Sequence, residues 1–207
     1  MSALTAPARS AQARTTAAWT ALLAVVAVGH HLGTLLAGLE PVGDVQQADL
    51  VDLLLPYAVV AAGGVALLGV PVGPRIAGVI GLVLYVQGHG LHLAANSIAE
   101  RQDSPTAFFW DELAGHAIWY AGLYLLLGAL LVGRAVATRP GPVRLLLSVA
   151  VGVTFATNAL GGHAVPLAVG ACLVLGGLAV RQRVGLAVDV LVAAVAGLLT
   201  LAAVAAS

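Results

Sequence analysis

Residues 184–206 read VGLAVDVLVAAVAGLLTLAAVAA, and Asp189 is the lone charged group among them. An uninterrupted apolar run of that length matches one helix crossing a hydrocarbon layer about 30 Å thick. Working back toward the N-terminus, comparable runs recur at about 17–38, 51–70, 76–99, 105–134, 144–161 and 164–180. Hydrophobic residues make up 60 % of the 207 residues, charged residues only 9 %, and mean hydropathy is +1.01. A soluble domain has no use for so much apolar surface. The runs are continuous rather than alternating, which excludes a β-barrel and leaves helices, whose backbone polar groups pair internally.

Turn chemistry separates the runs. Glu40-Pro41-Val42-Gly43, Pro71-Val72-Gly73-Pro74-Arg75 and Arg139-Pro140-Gly141-Pro142 are breaks, Gly161-Gly162 with Pro166 marks a tight turn, and Arg181-Gln182-Arg183 marks the last. Span four has a defined start, with Ser104 as N-cap and Pro105 at the first helical position. Arg9, Arg14, Arg75, Arg134, Arg139, Arg144, Arg181 and Arg183 fall on one side of this layout, and only Arg101 falls on the other. Glu40, Asp44, Asp49, Asp52, Glu100, Asp103, Asp111 and Glu112 lie opposite those eight arginines. The positive-inside rule then orients the chain. The expected fold is all-α: a polytopic membrane protein in one integral membrane domain over residues 1–207, a bundle of seven transmembrane helices, N-terminus cytoplasmic and C-terminus outside. Arg9 and Arg14 ahead of an apolar stretch resemble a signal peptide, but the run is longer than a signal core and lacks a convincing cleavage site. It is taken as span one. The expected location is a prokaryotic plasma membrane, with the bilayer as partner and no nucleic acid.

Composition also removes chemistries. No lysine is present, which excludes a retinal Schiff base and lysine catalysis. A single cysteine, Cys172, cannot close an intrachain disulfide. Span seven holds no histidine, so the late HxxxH pair of ceramidase-like membrane hydrolases is missing.

Six histidines remain: His30, His31, His89, His92, His116 and His163. Ionisable groups at membrane depth are costly and point to function. The hairpin of spans three and four turns near residue 102, so levels match where two residue numbers sum to about 205. His89 then lies level with His116, and His92 level with Glu112. His89, His92 and Asn96 share one helical stripe, and Glu112 with His116 another. Asp111 points about 100° from Glu112 and is expected at the rim or as support. His30 and His31 on span one reach a similar depth, and Thr154, Thr157 and Asn158 lead along span five toward His163 at the outer turn.

Imidazoles and a carboxylate on facing helices suit a metal, zinc foremost and copper or iron otherwise. His89, His92, Glu112 and His116 are the expected ligands, with His30 or His31 and His163 completing the site or forming a second one. Glu112 or Asp111 would serve as base in a membrane hydrolase, or iron or copper would support oxidation, of an apolar or lipid substrate. The alternative is a b-type haem with axial imidazoles handling electrons with a quinone. A metal transporter or chaperone is a further alternative, although the inner half offers only Asp189. The non-functional account has the histidines bonding neighbouring helices, Glu112 pairing with a protonated His116, and His163 facing water. Asp189 would cap its helix or pair with Arg181 or Arg183. Phe108, Phe109 and Trp110 read as an interfacial belt. Gly63, Gly64, Gly170, Gly176 and Gly177 are expected to permit close helix packing.

Overall fold

The computed structural model describes residues 6–36, 39, 41–42, 45–99, 101–136, 138–182 and 185–206. Among them are seven helices long and apolar enough to cross a membrane. They are α1 (Ala6–Leu36), α2 (Gln47–Leu67), α3 (Val72–Ala99), α4 (Pro105–Val132), α5 (Pro142–Gly161), α6 (Val165–Gln182) and α7 (Gly185–Ala205). Helix α1 begins well before the apolar run. Thr15, Thr16 and Thr20 turn their hydroxyls back onto the carbonyls of Ala11, Gln12 and Thr16, which lets a polar turn stay helical. Helix α4 begins as its residues dictate, with the Ser104 hydroxyl accepting from the Ala107 amide at 3.2 Å and Pro105 following.

The helices form a closed ring in the order α1, α2, α3, α4, α6, α7, α5 and back to α1. Trp19, Leu22 and Val26 of α1 fill its middle against Leu123, Leu126 and Leu130 of α4 and Val151 of α5. One end gathers Arg75, Arg134, Arg144 and the start of α1. There Arg75 donates to the Val70 carbonyl, Arg134 donates to Gln182 at 3.0 Å, and Thr16 meets Thr138 at 3.3 Å. The opposite end carries Asp49, Arg101 and Asp103. Arg9's side chain and Arg183, Glu40, Asp44 and Glu100 lie outside the described residues.

The tightest seam joins α3 and α4. A methyl group at Gly81 would sit 2.6 Å from the Gly122 carbonyl oxygen and 2.7 Å from the Leu126 nitrogen. One at Gly115 would meet the Trp110 oxygen at 2.6 Å and the Gly88 oxygen at 3.3 Å. Backbone thus faces backbone along Gly81, Gly88, Gly115 and Gly122, as small residues allow. These contacts straddle the level relation of about 205 read from the hairpin. A second seam lets Gly152 of α5 approach Ala196 and Gly197 of α7. The glycines singled out for packing are mostly elsewhere: Gly64, Gly170 and Gly177 have open space where a side chain would go. A glycine matters here only where a neighbouring backbone arrives at its face, and composition does not reveal that.

Asp189 is fully buried and does not pair with Arg181. It meets Arg144 of α5, accepts from the Trp19 indole at 2.9 Å, and lies 3.4 Å from the Ser148 hydroxyl. Arg144 also donates to the carbonyl and hydroxyl of Thr138, at 3.2 Å each. Arg183, the other expected partner, lies outside the described residues. Ring closure brings α5 against α7.

Candidate metal centre

Two elements build the site at the end opposite the arginines. Helix α3 supplies His89 and His92 on the face that meets α4. Helix α4 does not stay α-helical there: Phe109–Gly115 is a π-helical segment. Such wide turns concentrate at functional sites because they re-aim side chains. In an α-helix, residues five apart diverge by roughly 140°. The i→i+5 pattern of the π turn brings them toward one face. Asp111, five before His116, therefore turns inward.

The result is a cluster of His92, Asp111 and His116, each offering one ligand atom within 4.8 Å of the others. His92 Nδ1 meets Asp111 Oδ1 across the seam. The His92 and His116 rings lie 4.7 Å apart between centroids. His116 Nδ1 lies 2.9 Å from the Asp111 carbonyl oxygen. Since that carbonyl can only accept, Nδ1 carries the proton and Nε2 keeps its lone pair, the tautomer that suits a metal ligand. Gly162, in the turn after α5, gives the ring its room: a methyl there would lie 2.5–2.7 Å from Cδ2, Cγ and Nε2 of His116. The Asp111 and His116 side chains are 5 % and 8 % exposed, whereas His92 is 19 % and Glu112 28 % exposed. The cluster is therefore closed inward and open past His92 and Glu112.

The other expected ligands fall in four different places. Glu112 lies beside the cluster, with Oε2 3.8 Å from His116 Nδ1, but its place on the inner face is taken by Asp111. His89, 1 % exposed, packs against Trp119 at 4.3 Å and Tyr85 at 5.0 Å rather than joining the three. His31 Nε2 lies 3.0 Å from the Thr154 hydroxyl. That hydroxyl donates its proton to the Ala150 carbonyl at 2.8 Å, so it accepts from His31, and the pair ties α1 to α5. His30's side chain lies outside the described residues. His163 is exposed with a positive φ of 48°, in the turn where Ala164 bonds back to Ala159. That is the left-handed residue closing a helix C-terminus, a position histidine tolerates better than most. Its ring lies 6.1 Å from Phe108.

Sequence reasoning missed two features. The first is the π turn, since nothing in FWDELAG (Phe109 to Gly115) announces it. The second is Asp52 of α2, which stands close enough to couple electrostatically to both His92 and Tyr85. A signal existed for it: Asp49 and Asp52 are three apart at the end of a helix neighbouring α3. Below the cluster, His116, Tyr120 and Tyr124 run down α4 at four-residue spacing, with Trp119 and Tyr120 stacked at 5.4 Å and 3°. Phe108, Phe109 and Trp110 are exposed beside the open side. No family model, no curated protein and no solved structure matches this chain.

Proposed function

We propose that the chain is an integral membrane metalloenzyme in which His92, Asp111 and His116 hold one divalent transition metal in the outer half of the bilayer. The observation that carries the reading is the convergence of two imidazoles and one carboxylate, from two helices, within 4.8 Å. Three protein ligands with an open position are the ordinary make-up of a catalytic zinc site, and two histidines with one carboxylate also suit non-haem iron. The arginine-rich end supports a cytoplasmic N-terminus, which turns the cluster outward. The aromatic residues Phe108 to Trp110 then mark the outer interface, and the open side past Glu112 meets lipid.

A metal held there would supply Lewis-acid chemistry for hydrolysis of an apolar or lipid substrate if zinc, or oxidative chemistry if iron or copper. Asp111 and the two imidazoles bind it. Glu112, beside the cluster and partly exposed, takes up the proton. Haem b is the weaker alternative, because the His92 and His116 rings touch each other and leave no slot for a macrocycle between them. His89 is similarly enclosed by Trp119 and Tyr85.

Cobalt reconstitution of the purified protein tests the site. A visible ligand-field spectrum is expected in wild type and Glu112→Gln, and none in Asp111→Ala or His116→Ala. A Soret band in the protein as isolated would instead favour haem. For the activity, membrane lipid extract incubated with wild type should yield hydrolysed or hydroxylated species that Glu112→Gln fails to form. Identical products from both proteins would remove Glu112 from the chemistry.

A further inference from the structure

The seam between α2 and α3 opens as two clefts on the outer side of the ring. The upper one is lined by Asp49 and Leu53 of α2, by Leu93, Ser97 and Ile98 of α3, and by Arg101 just beyond. The lower one is lined by Val60 of α2 and by Leu82, Val83 and Val86 of α3. Leu53 and Val60 are seven apart on one helix, and Val86 and Leu93 seven apart on the other. Both clefts thus follow the same stripe of each helix. Gly90 lies between them on α3, exposed, with nothing within 4 Å of where its side chain would begin. No side chain of α3 therefore separates the two clefts at Gly90, and together they extend over roughly 20–30 Å at 1.5 Å per residue of α3. Their lining is mainly aliphatic, with Ser97 and Gln102 in the upper cleft and Gln87 in the lower, and their charged groups, Asp49 and Arg101, are confined to the upper cleft.

The mouth of the upper cleft sets this groove apart. The cleft between α3, α4 and α6 has no charged lining residue. Arg101 is the single arginine on the side otherwise held by acids. It stands across the mouth from Asp49, which is half-buried. A cation and an anion facing each other over an aliphatic channel complement a zwitterion on a long hydrocarbon tail.

We propose that this seam binds one glycerophospholipid with an amine headgroup. Its phosphate lies against Arg101, its ammonium toward Asp49, and one acyl chain along Leu53, Leu93, Gly90 and Val86. The proposal rests on membrane embedding but not on the metal, since His92 faces α4 from another side of α3.

Native mass spectrometry of the full chain in detergent tests it, with added phosphatidylethanolamine, phosphatidylglycerol and diacylglycerol of matched acyl chains. Phosphatidylethanolamine should remain bound at one per chain, phosphatidylglycerol more weakly, and diacylglycerol not at all. Arg101→Gln removes a charge-assisted contact and should weaken retention about tenfold. Gly90→Leu blocks the channel in open space without disturbing packing, and should do the same. Equal retention of diacylglycerol, or of phosphatidylglycerol, would overturn the assignment, as would full retention in both variants. Both variants should keep the metal, whereas an absent metal in wild type that still holds the lipid would overturn only the metalloenzyme reading.

Discussion

Two buried carboxylates sit at opposite ends of the ring, and their neighbours differ in kind. Asp189 faces a permanent cation, Arg144, and both its oxygens are engaged by Arg144, Trp19 and Ser148. Asp111 faces two imidazoles, whose charge depends on a proton or a metal. The first arrangement is electrically complete within the protein. It joins α1, α5 and α7 and gives no reason to invoke a ligand. In the second the countercharge comes from His92, which is a cation only when it holds a proton, and the cluster is less enclosed past His92 and Glu112. Buried charge alone therefore does not mark a site. What separates the two is whether the countercharge is permanent, as on Arg144, or conditional, as on His92.

Breaking the Asp189 pair should cost folding. Asp189→Ala strands the Arg144 guanidinium and is expected to destabilise by about 3–5 kcal/mol, read as a lowered unfolding temperature in detergent. The double change Arg144→Met with Asp189→Leu should recover most of that loss, because no uncompensated charge remains. Asp111→Asn, by contrast, should leave the metal-free protein folded. Equal destabilisation by Asp111→Asn and Asp189→Ala would erase the distinction.

The seam that aims His92, Asp111 and His116 comes next in size. Gly122→Ala pushes a methyl group into the Gly81 carbonyl, and backbone cannot rotate away. A loss of about 1–3 kcal/mol is expected, with weakened metal binding because His92 and Asp111 separate. Retained affinity at lowered stability would show that the site tolerates a shifted seam. His31→Ala deletes the bond to Thr154 and should cost roughly 1 kcal/mol with metal content unchanged. His163→Gly relieves a left-handed backbone and should gain up to about 1 kcal/mol, again without metal loss. Loss of metal in either variant would restore that histidine as a ligand.

Much of this is legible in the amino-acid sequence. The seven apolar runs, the Ser104–Pro105 start and the level relation between α3 and α4 follow from hydropathy, capping chemistry and helical rise. That His92 and His116 approach each other follows from the same reasoning. The inward turn of Asp111 does not, because it depends on a π turn that constant helical spacing cannot express. His89 stands apart from His92, Asp111 and His116 for a different reason: being level with His116 does not make two rings neighbours when Trp119 packs against both. Asp189 and Arg144 were unreadable as partners because only the closing of the ring brings α5 to α7.

The central claim is that two histidines and Asp111 form an outer centre completed by a metal. Elemental analysis of the purified protein by mass spectrometry, alongside Asp111→Asn and His116→Ala, tests it most directly. About one zinc, iron or copper per wild-type chain and almost none in either variant is the predicted result. A wild type without metal, or variants that retain it in full, would contradict the account.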